Sequence, residues 1–271
     1  MKLTFIGGGN MAQAIIGGLL KRGFPGDAIG VVEVLPEARE RLQRQFAVKA
    51  FADPAQAAPF GDMLVMAVKP QQMRAAATQV APCLRGELVL SIAAGTRLVD
   101  LSRWLGGHAL LARCMPNTPA LIGAGVTAAY CVPDVSQAQR AQVAQVLESV
   151  GELVWVEQET MLDAVTAISG SGPAYVFYFI EALCEAALAL GLSSEQARRL
   201  AIGTFVGASR LAAESGEDPA LLRARVTSKG GTTEAALASL QAADIKQAIV
   251  RAARAADARA RELGEQLGKE A

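Results

Sequence analysis

The stretch from Leu3 to Ala12, LTFIGGGNMA, constrains what this chain can fold into more than any other. A β-branched and aromatic run, Leu3 to Ile6, stops at a glycine turn, and helical periodicity follows from Asn10 to Leu20 through Met11, Ile15, Gly18 and Leu19. Gly7, Gly9 and Ala12 make the turn a GxGxxA fingerprint. The first glycine turns the chain, the second admits a pyrophosphate, and a small third residue lets the helix pack closely. Strand, turn and helix in this order predict the opening of a Rossmann-type α/β domain, with Ile6, Gly7, Gly8, Gly9, Asn10 and Met11 against a dinucleotide.

The next strand, Ala28 to Val32, ends at Glu33, about 20 positions after Ala12. An acidic side chain there can accept hydrogen bonds from ribose hydroxyls and repel a 2′-phosphate. Arg39 and Arg41 on the following helix could reach a phosphate or simply be solvated helix charges, so NADPH and NADH both stay open. Further strands are expected at Asp62 to Val68, Glu87 to Ile92 and Leu110 to Cys114. Each breaks into small residues or prolines at its C-terminal end, the edge where open α/β sheets bind ligands. Ala67, Val68, Lys69, Pro70, Ala94 and Asn117 stand at these breaks, with Pro70 opening a helix to about Val80; that they neighbour the coenzyme is what the family resemblance given below implies.

A strand at Gly125 to Tyr130, a helix from Val135 to Val150 and a last strand at Glu152 to Val156 complete this domain, taken as residues 1–157. Beyond it only alanine-rich helical patterns follow: Met161 to Leu190, Ser194 to Ala213, Pro219 to Val226, Glu234 to Leu240 and Ala243 to Leu267. Residues 158–271 are therefore expected to form an all-α domain whose small side chains suit close helix packing and an oligomer interface.

Composition excludes several classes. Lys plus Arg and Asp plus Glu both total 26 and are interspersed, leaving no basic stripe for nucleic acid or an anionic membrane. Cys83, Cys114, Cys131 and Cys184 have no CxxC spacing and read as buried free thiols of a reducing compartment, with no metal site expected. His108, the only histidine, lies in a loop-like Gly-Gly-His turn, so chemistry built on a histidine base has little material. The N-terminal apolar run is too short for a signal segment, which points to the cytoplasm. Ala174 to Leu192 is apolar but carries Glu181 and Glu185, which suits an interface helix better than a membrane span.

Two further stretches carry chemistry. Val226 to Leu237, VTSKGGTTEAAL, reads as a glycine turn followed by a helix N-terminus, either an ordinary threonine-capped helix or a cradle for a small carboxylate. Ile168 to Phe177, ISGSGPAYVF, reads locally as a glycine-rich helix kink or as part of a site. Together with GGGNMA, AVKP, SIAAG and MPNTP, these strings resemble the pyrroline-5-carboxylate reductases along the whole chain. The resemblance implies reduction of the C=N bond of 1-pyrroline-5-carboxylate by NADPH or NADH, giving L-proline as the last step of proline synthesis. It places Ser169, Gly170, Ser228, Gly230, Gly231, Thr232 and Thr233 at the substrate, with the Thr233 hydroxyl at the ring nitrogen. It also implies a homodimer through interlocking helical domains, and higher oligomers built from it. Many members carry a small polar residue and an arginine where this chain has Glu33 and Val34, which leaves the coenzyme preference open.

A readily protonated imine needs a hydride donor, an anchor for its carboxylate and one hydrogen-bonding group for nitrogen, which fits a chain poor in histidine. A β-hydroxyacid dehydrogenase would need a lysine where Val176 stands and an asparagine at Phe179. A dinucleotide-binding sensor without turnover, or a reductase of a related cyclic imine, would share the same architecture.

Overall fold

The computed structural model describes residues 1–269. The last two positions of the expected helical region, 270 and 271, lie outside the described residues. The chain packs as two compact units: Met1–Ser171 with the stretch that begins at Ala256, and Gly172–Ala255.

The first unit alternates strand and helix. In order come β1 Leu3–Ile6, α1 Asn10–Lys21, β2 Ile29–Val32, α2 Pro36–Phe46, β3 Lys49–Phe51, α3 Pro54–Ala57, β4 Met63–Met66 and α4 Met73–Val80. Then follow β5 Leu88–Ser91, α5 Leu98–Trp104, β6 Leu111–Met115, β7 Gly125–Cys131, α6 Gln137–Leu147, β8 Gly151–Trp155 and α7 Met161–Val165. The 8-stranded sheet has the order β3-β2-β1-β4-β5-β6-β7-β8. Its pairs are parallel except β6 with β7. Strand order reverses between β1 and β4, the crevice where such sheets hold a dinucleotide. Every residue of β1, β2, β4 and β5 is buried, as parallel strands covered on both faces require. Ile15, Ile16 and Leu19 of α1 and Val143 and Leu147 of α6 belong to one core cluster, while Met73, Ala77 and Val80 of α4 and Leu98 and Leu101 of α5 belong to the other.

The second unit contains α8 Gly172–Ala189, α9 Ser194–Ser215, α10 Pro219–Arg225, α11 Thr232–Ala242 and the first part of α12 Ile245–Lys269. Its helices keep the expected positions. The expected domain border at 157/158 marks where strands end, whereas packing divides the chain after Ser171. The reason is that α7 is joined to β6 by side-chain ion pairs, and Gly264 and Leu267 near the end of α12 pack on Gly95 behind β5.

Three features depart from the sequence expectation. β3 is a 3-residue edge strand beside β2, too short to show period-2 alternation. α5 has no side-chain cap at Arg97; its Leu98 N–H donates instead to Glu159 Oε1, 2.8 Å away and 61 positions along the chain. The helix expected from Met161 to Leu190 is interrupted at Thr166–Gly170 by a π-turn, closed by a 2.8 Å bond from Ser171 N–H to the Thr166 carbonyl. Of the cysteines, only Cys114 is buried and the other three are partly exposed. Burial pushes the Cys114 thiol up. Burial likewise pushes Cys131 up to about 11, against the opposing charge of Arg140.

Candidate active site

The expected coenzyme residues collect at one edge of the first unit, the C-terminal ends of β1, β2, β4, β5 and β6. Gly7 N–H donates to the Val32 carbonyl and Ala67 N–H to the Ile6 carbonyl, each at 2.8 Å, so three strand ends are laced together. Gly7 has φ +100°, and a Cβ there would stand 2.8 Å from the Ala67 carbonyl oxygen, so only glycine fits. The first residue of AVKP is therefore the wall that dictates the first glycine of the turn. At Gly9 the opposite holds: nothing lies within 4 Å of where a Cβ would be. No side chain caps α1, so its first amides face that open space without a side-chain acceptor. An uncapped helix N-terminus with open space before it can seat a pyrophosphate.

Glu33 stands beside this turn. Its Oε2 accepts the Gly8 N–H at 3.1 Å and its Oε1 the Leu35 N–H at 3.1 Å. A carboxylate has about four lone-pair sites, so capacity remains for ribose hydroxyls. Arg39, open in the sequence between a phosphate ligand and a solvated charge, donates through Nη1 to the carbonyls of Glu33 (2.7 Å) and Val34 (2.9 Å). One nitrogen of that guanidinium is thus spent on holding the end of β2. Arg41 is exposed. Lys69 is exposed and Ala94 half-buried at the same edge.

Asn117, taken from the sequence as a coenzyme neighbour, sits just beyond β6 but is nearly buried at 9% exposure. Its Nδ2 donates to the Ser169 carbonyl at 3.1 Å and its Oδ1 accepts the Val126 N–H at 2.9 Å. Both ends of the carboxamide are therefore bound to protein. Ser169 and Gly170 lie in the π-turn, with the Ser169 hydroxyl donating to the Val165 carbonyl at 3.2 Å.

The glycine-threonine loop lies in the second unit. Gly230 has φ +74°, a left-handed turn, and Gly231 is the N-cap of α11 with no side-chain cap. The threonines are therefore not the caps. Thr232 and Thr233 occupy the first turn of α11, Thr232 and Ser228 exposed and Thr233 half-buried. First-turn amides that no side chain caps can receive a carboxylate.

A family model described as pyrroline-5-carboxylate reductase dimerisation matches residues 159–263, and one described as NADP oxidoreductase coenzyme F420-dependent matches residues 2–95. The pyrroline-5-carboxylate reductase of Pseudomonas aeruginosa is 44% identical over 269 residues, covering 99% of this chain and 98% of its own. The chain belongs to the pyrroline-5-carboxylate reductase family. The reductase structure from Coxiella burnetii superposes with a TM-score of 0.92 at 37% identity over 97% of this chain and 98% of its own. The Plasmodium falciparum pyrroline carboxylate reductase with NADP bound does so at 0.86 and 28% identity, with the same coverage.

Two residues that brace these glycine turns were not among the candidate site residues of the sequence reading. Gln13 donates through Nε2 to the Gly8 carbonyl at 2.7 Å, bracing the turn from inside α1. Glu234 accepts the Gly230 N–H on Oε2 at 2.7 Å, tying the glycine loop to α11. The second was visible in principle, since an acid at the third helical position that reaches back is half of a capping box. Gln13 had no comparable signal. His108, the one histidine, only meets the Glu87 carbonyl with Nε2 at 2.8 Å.

Proposed function

We propose that this protein is an NAD(P)H-dependent oxidoreductase acting on CH–NH, converting 1-pyrroline-5-carboxylate into L-proline in the last step of proline biosynthesis. The observation that carries this reading is the intact loop Ser228 to Thr233 ahead of an uncapped helix. Its amides suit the substrate carboxylate, and the adjacent Thr233 hydroxyl suits the ring nitrogen. When bound, a reduced nicotinamide would supply the hydride for the C=N carbon. Gly7, Gly8, Gly9, Asn10 and Met11 hold the pyrophosphate end of the coenzyme, while Ala67, Val68, Lys69, Pro70 and Ala94 line it. Thr233 is the catalytic residue: the imine nitrogen takes a proton from solvent before reduction, and the Thr233 oxygen accepts the resulting N–H, orienting the iminium while its carbon receives the hydride. Ser169, Gly170, Ser228, Gly230, Gly231 and Thr232 shape the substrate site.

Glu33 bonds the adenosine ribose and disfavours a 2′-phosphate, which shifts preference toward NADH. The helical region from residue 158 is the substrate-binding and dimerisation domain. Val176, Phe177, Tyr178 and Leu190 of the α8 region, and Leu200 and Val206 of α9, are exposed on a single copy. The run Met161–Ala189 is long and apolar enough to cross a membrane, but none of its most apolar window is buried within the chain. A second copy covers this face better than lipid does, because Glu181 and Glu185 lie on it. We therefore read a soluble, cytoplasmic homodimer that builds higher oligomers.

The test is steady-state oxidation of NADH and NADPH, separately, with 1-pyrroline-5-carboxylate as acceptor. Turnover with a higher kcat/KM for NADH is expected. Coenzyme binding without turnover on this imine would reject the reading.

A further inference from the structure

We infer that Asn117 is a positioning residue: its carboxamide gives the Ser169 carbonyl a hydrogen bond in place of the α-helical one that Pro173 cannot make, and thereby fixes the π-turn carrying Ser169 and Gly170. The inference rests on the proposal that this turn borders the substrate.

In an α-helix the Ser169 carbonyl would accept from the N–H four residues on, which is Pro173. Proline has no N–H, and its ring crowds that same carbonyl. A half-buried carbonyl left in this way needs another donor. Asn117 Nδ2 is that donor at 3.1 Å. The orientation of the amide is not free, because the Val126 N–H at 2.9 Å can meet only an acceptor and so places Oδ1 on its own side. With both ends engaged, Asn117 acts on the turn and not on the coenzyme.

The rest of β6 supports the same segment at period 2. Arg113, 4% exposed, reaches Glu159 Oε1 at 2.9 Å and Asp163 Oδ1 at 3.9 Å, the approach to and body of α7. Met115 packs where Gly170 has no side chain: a Cβ on Gly170 would come within 2.6 Å of Met115 Cε. Residues 113, 115 and 117 point the same way along an extended strand and its continuation. One face of β6 is thus a rail that sets α7, Gly170 and Ser169 in succession.

Asn117→Asp isolates the donor, since it keeps the acceptor for Val126 and removes the N–H. Asn117→Ala removes both. In each variant KM for 1-pyrroline-5-carboxylate should rise about tenfold, while the Kd for NADH from fluorescence titration stays within about twofold. Amide exchange should accelerate in residues 166–171, where the Ser171 N–H closes the turn, and stay unchanged in β1 and α1. An Asn117→Asp enzyme that loses NADH affinity by as much as imine affinity would return Asn117 to the coenzyme site and overturn the inference. Unchanged exchange in 166–171 would overturn it as well, whatever the substrate. Wild-type protein that turns over no pyrroline carboxylate, with exchange accelerated as expected in the variants, would reject the proposed function and leave the positioning role standing.

Discussion

The two glycine turns of this protein are built alike and anchored differently. Gly8 gives its N–H to Glu33 ahead of α1, and Gly230 gives its N–H to Glu234 ahead of α11. Both helices start at an uncapped glycine, Gly9 and Gly231. Yet Glu33 lies 25 positions away, just past the next strand, and Gly8 is buried, whereas Glu234 is only 4 positions away in the first turn of α11 and Gly230 is exposed. The first turn is held by the sheet, the second by itself. A turn held by tertiary structure would make a rigid seat for the proposed pyrophosphate, and a loop held by one local latch could adjust around the proposed small substrate.

Breaking the second turn at its chemical end should have the largest effect. Thr233→Ala is expected to lower kcat/KM for the imine by about 10²-fold and leave the NADH Kd unchanged. Unaltered turnover would remove Thr233 from the mechanism.

Next comes the anchor of the first turn. Glu33→Ser with Val34→Arg should move the NADPH to NADH ratio of kcat/KM upward by about tenfold or more, as a repelling carboxylate gives way to a phosphate partner. A ratio that stays put would reject the role assigned to Glu33. Glu234→Ala sharpens the comparison further. It should raise KM for the imine by about three- to tenfold with NADH affinity intact, and Glu234→Gln should recover part of the loss because an amide oxygen still accepts. Equal damage to both ligands would show that the second turn is not independent of the first.

The smallest effect concerns the sheet that holds the first turn. Cys131 on β7 titrates near 11 in the folded chain, above its ordinary value of 9.0, because burial disfavours the thiolate. The stability it contributes is fully present below about pH 9 and fades as pH rises through 11. Thermal melts of wild type and Cys131→Ala should therefore converge between pH 9 and 11, and parallel curves would refute the assignment.

The sheet was legible wherever its own residues carried the signal. LTFIGGGNMA announced β1, the turn and α1, and buried runs such as MLVM and LVLS announced β4 and β5. What stayed hidden depended on distant partners. α5 is capped by Glu159, the Ser169 carbonyl is satisfied by Asn117, and neither pairing leaves a mark in the local sequence. ISGSGP betrayed a break but not its form, because Pro173 says only that a carbonyl is released. The resemblance to a family supplied roles for the glycine-threonine loop that its composition alone could not, since a capped helix writes nearly the same letters. The π-turn and the Glu234 latch needed coordinates.

The bare apolar side chains of α8 and α9 carry a last consequence. Leu190, at 83% exposure, and Tyr178, at 72%, face water in a single copy. If a second copy covers them, how stably any one molecule folds is set by how many others share the solution. Mass action then makes the melting temperature climb with protein concentration, and dilution alone becomes a denaturant.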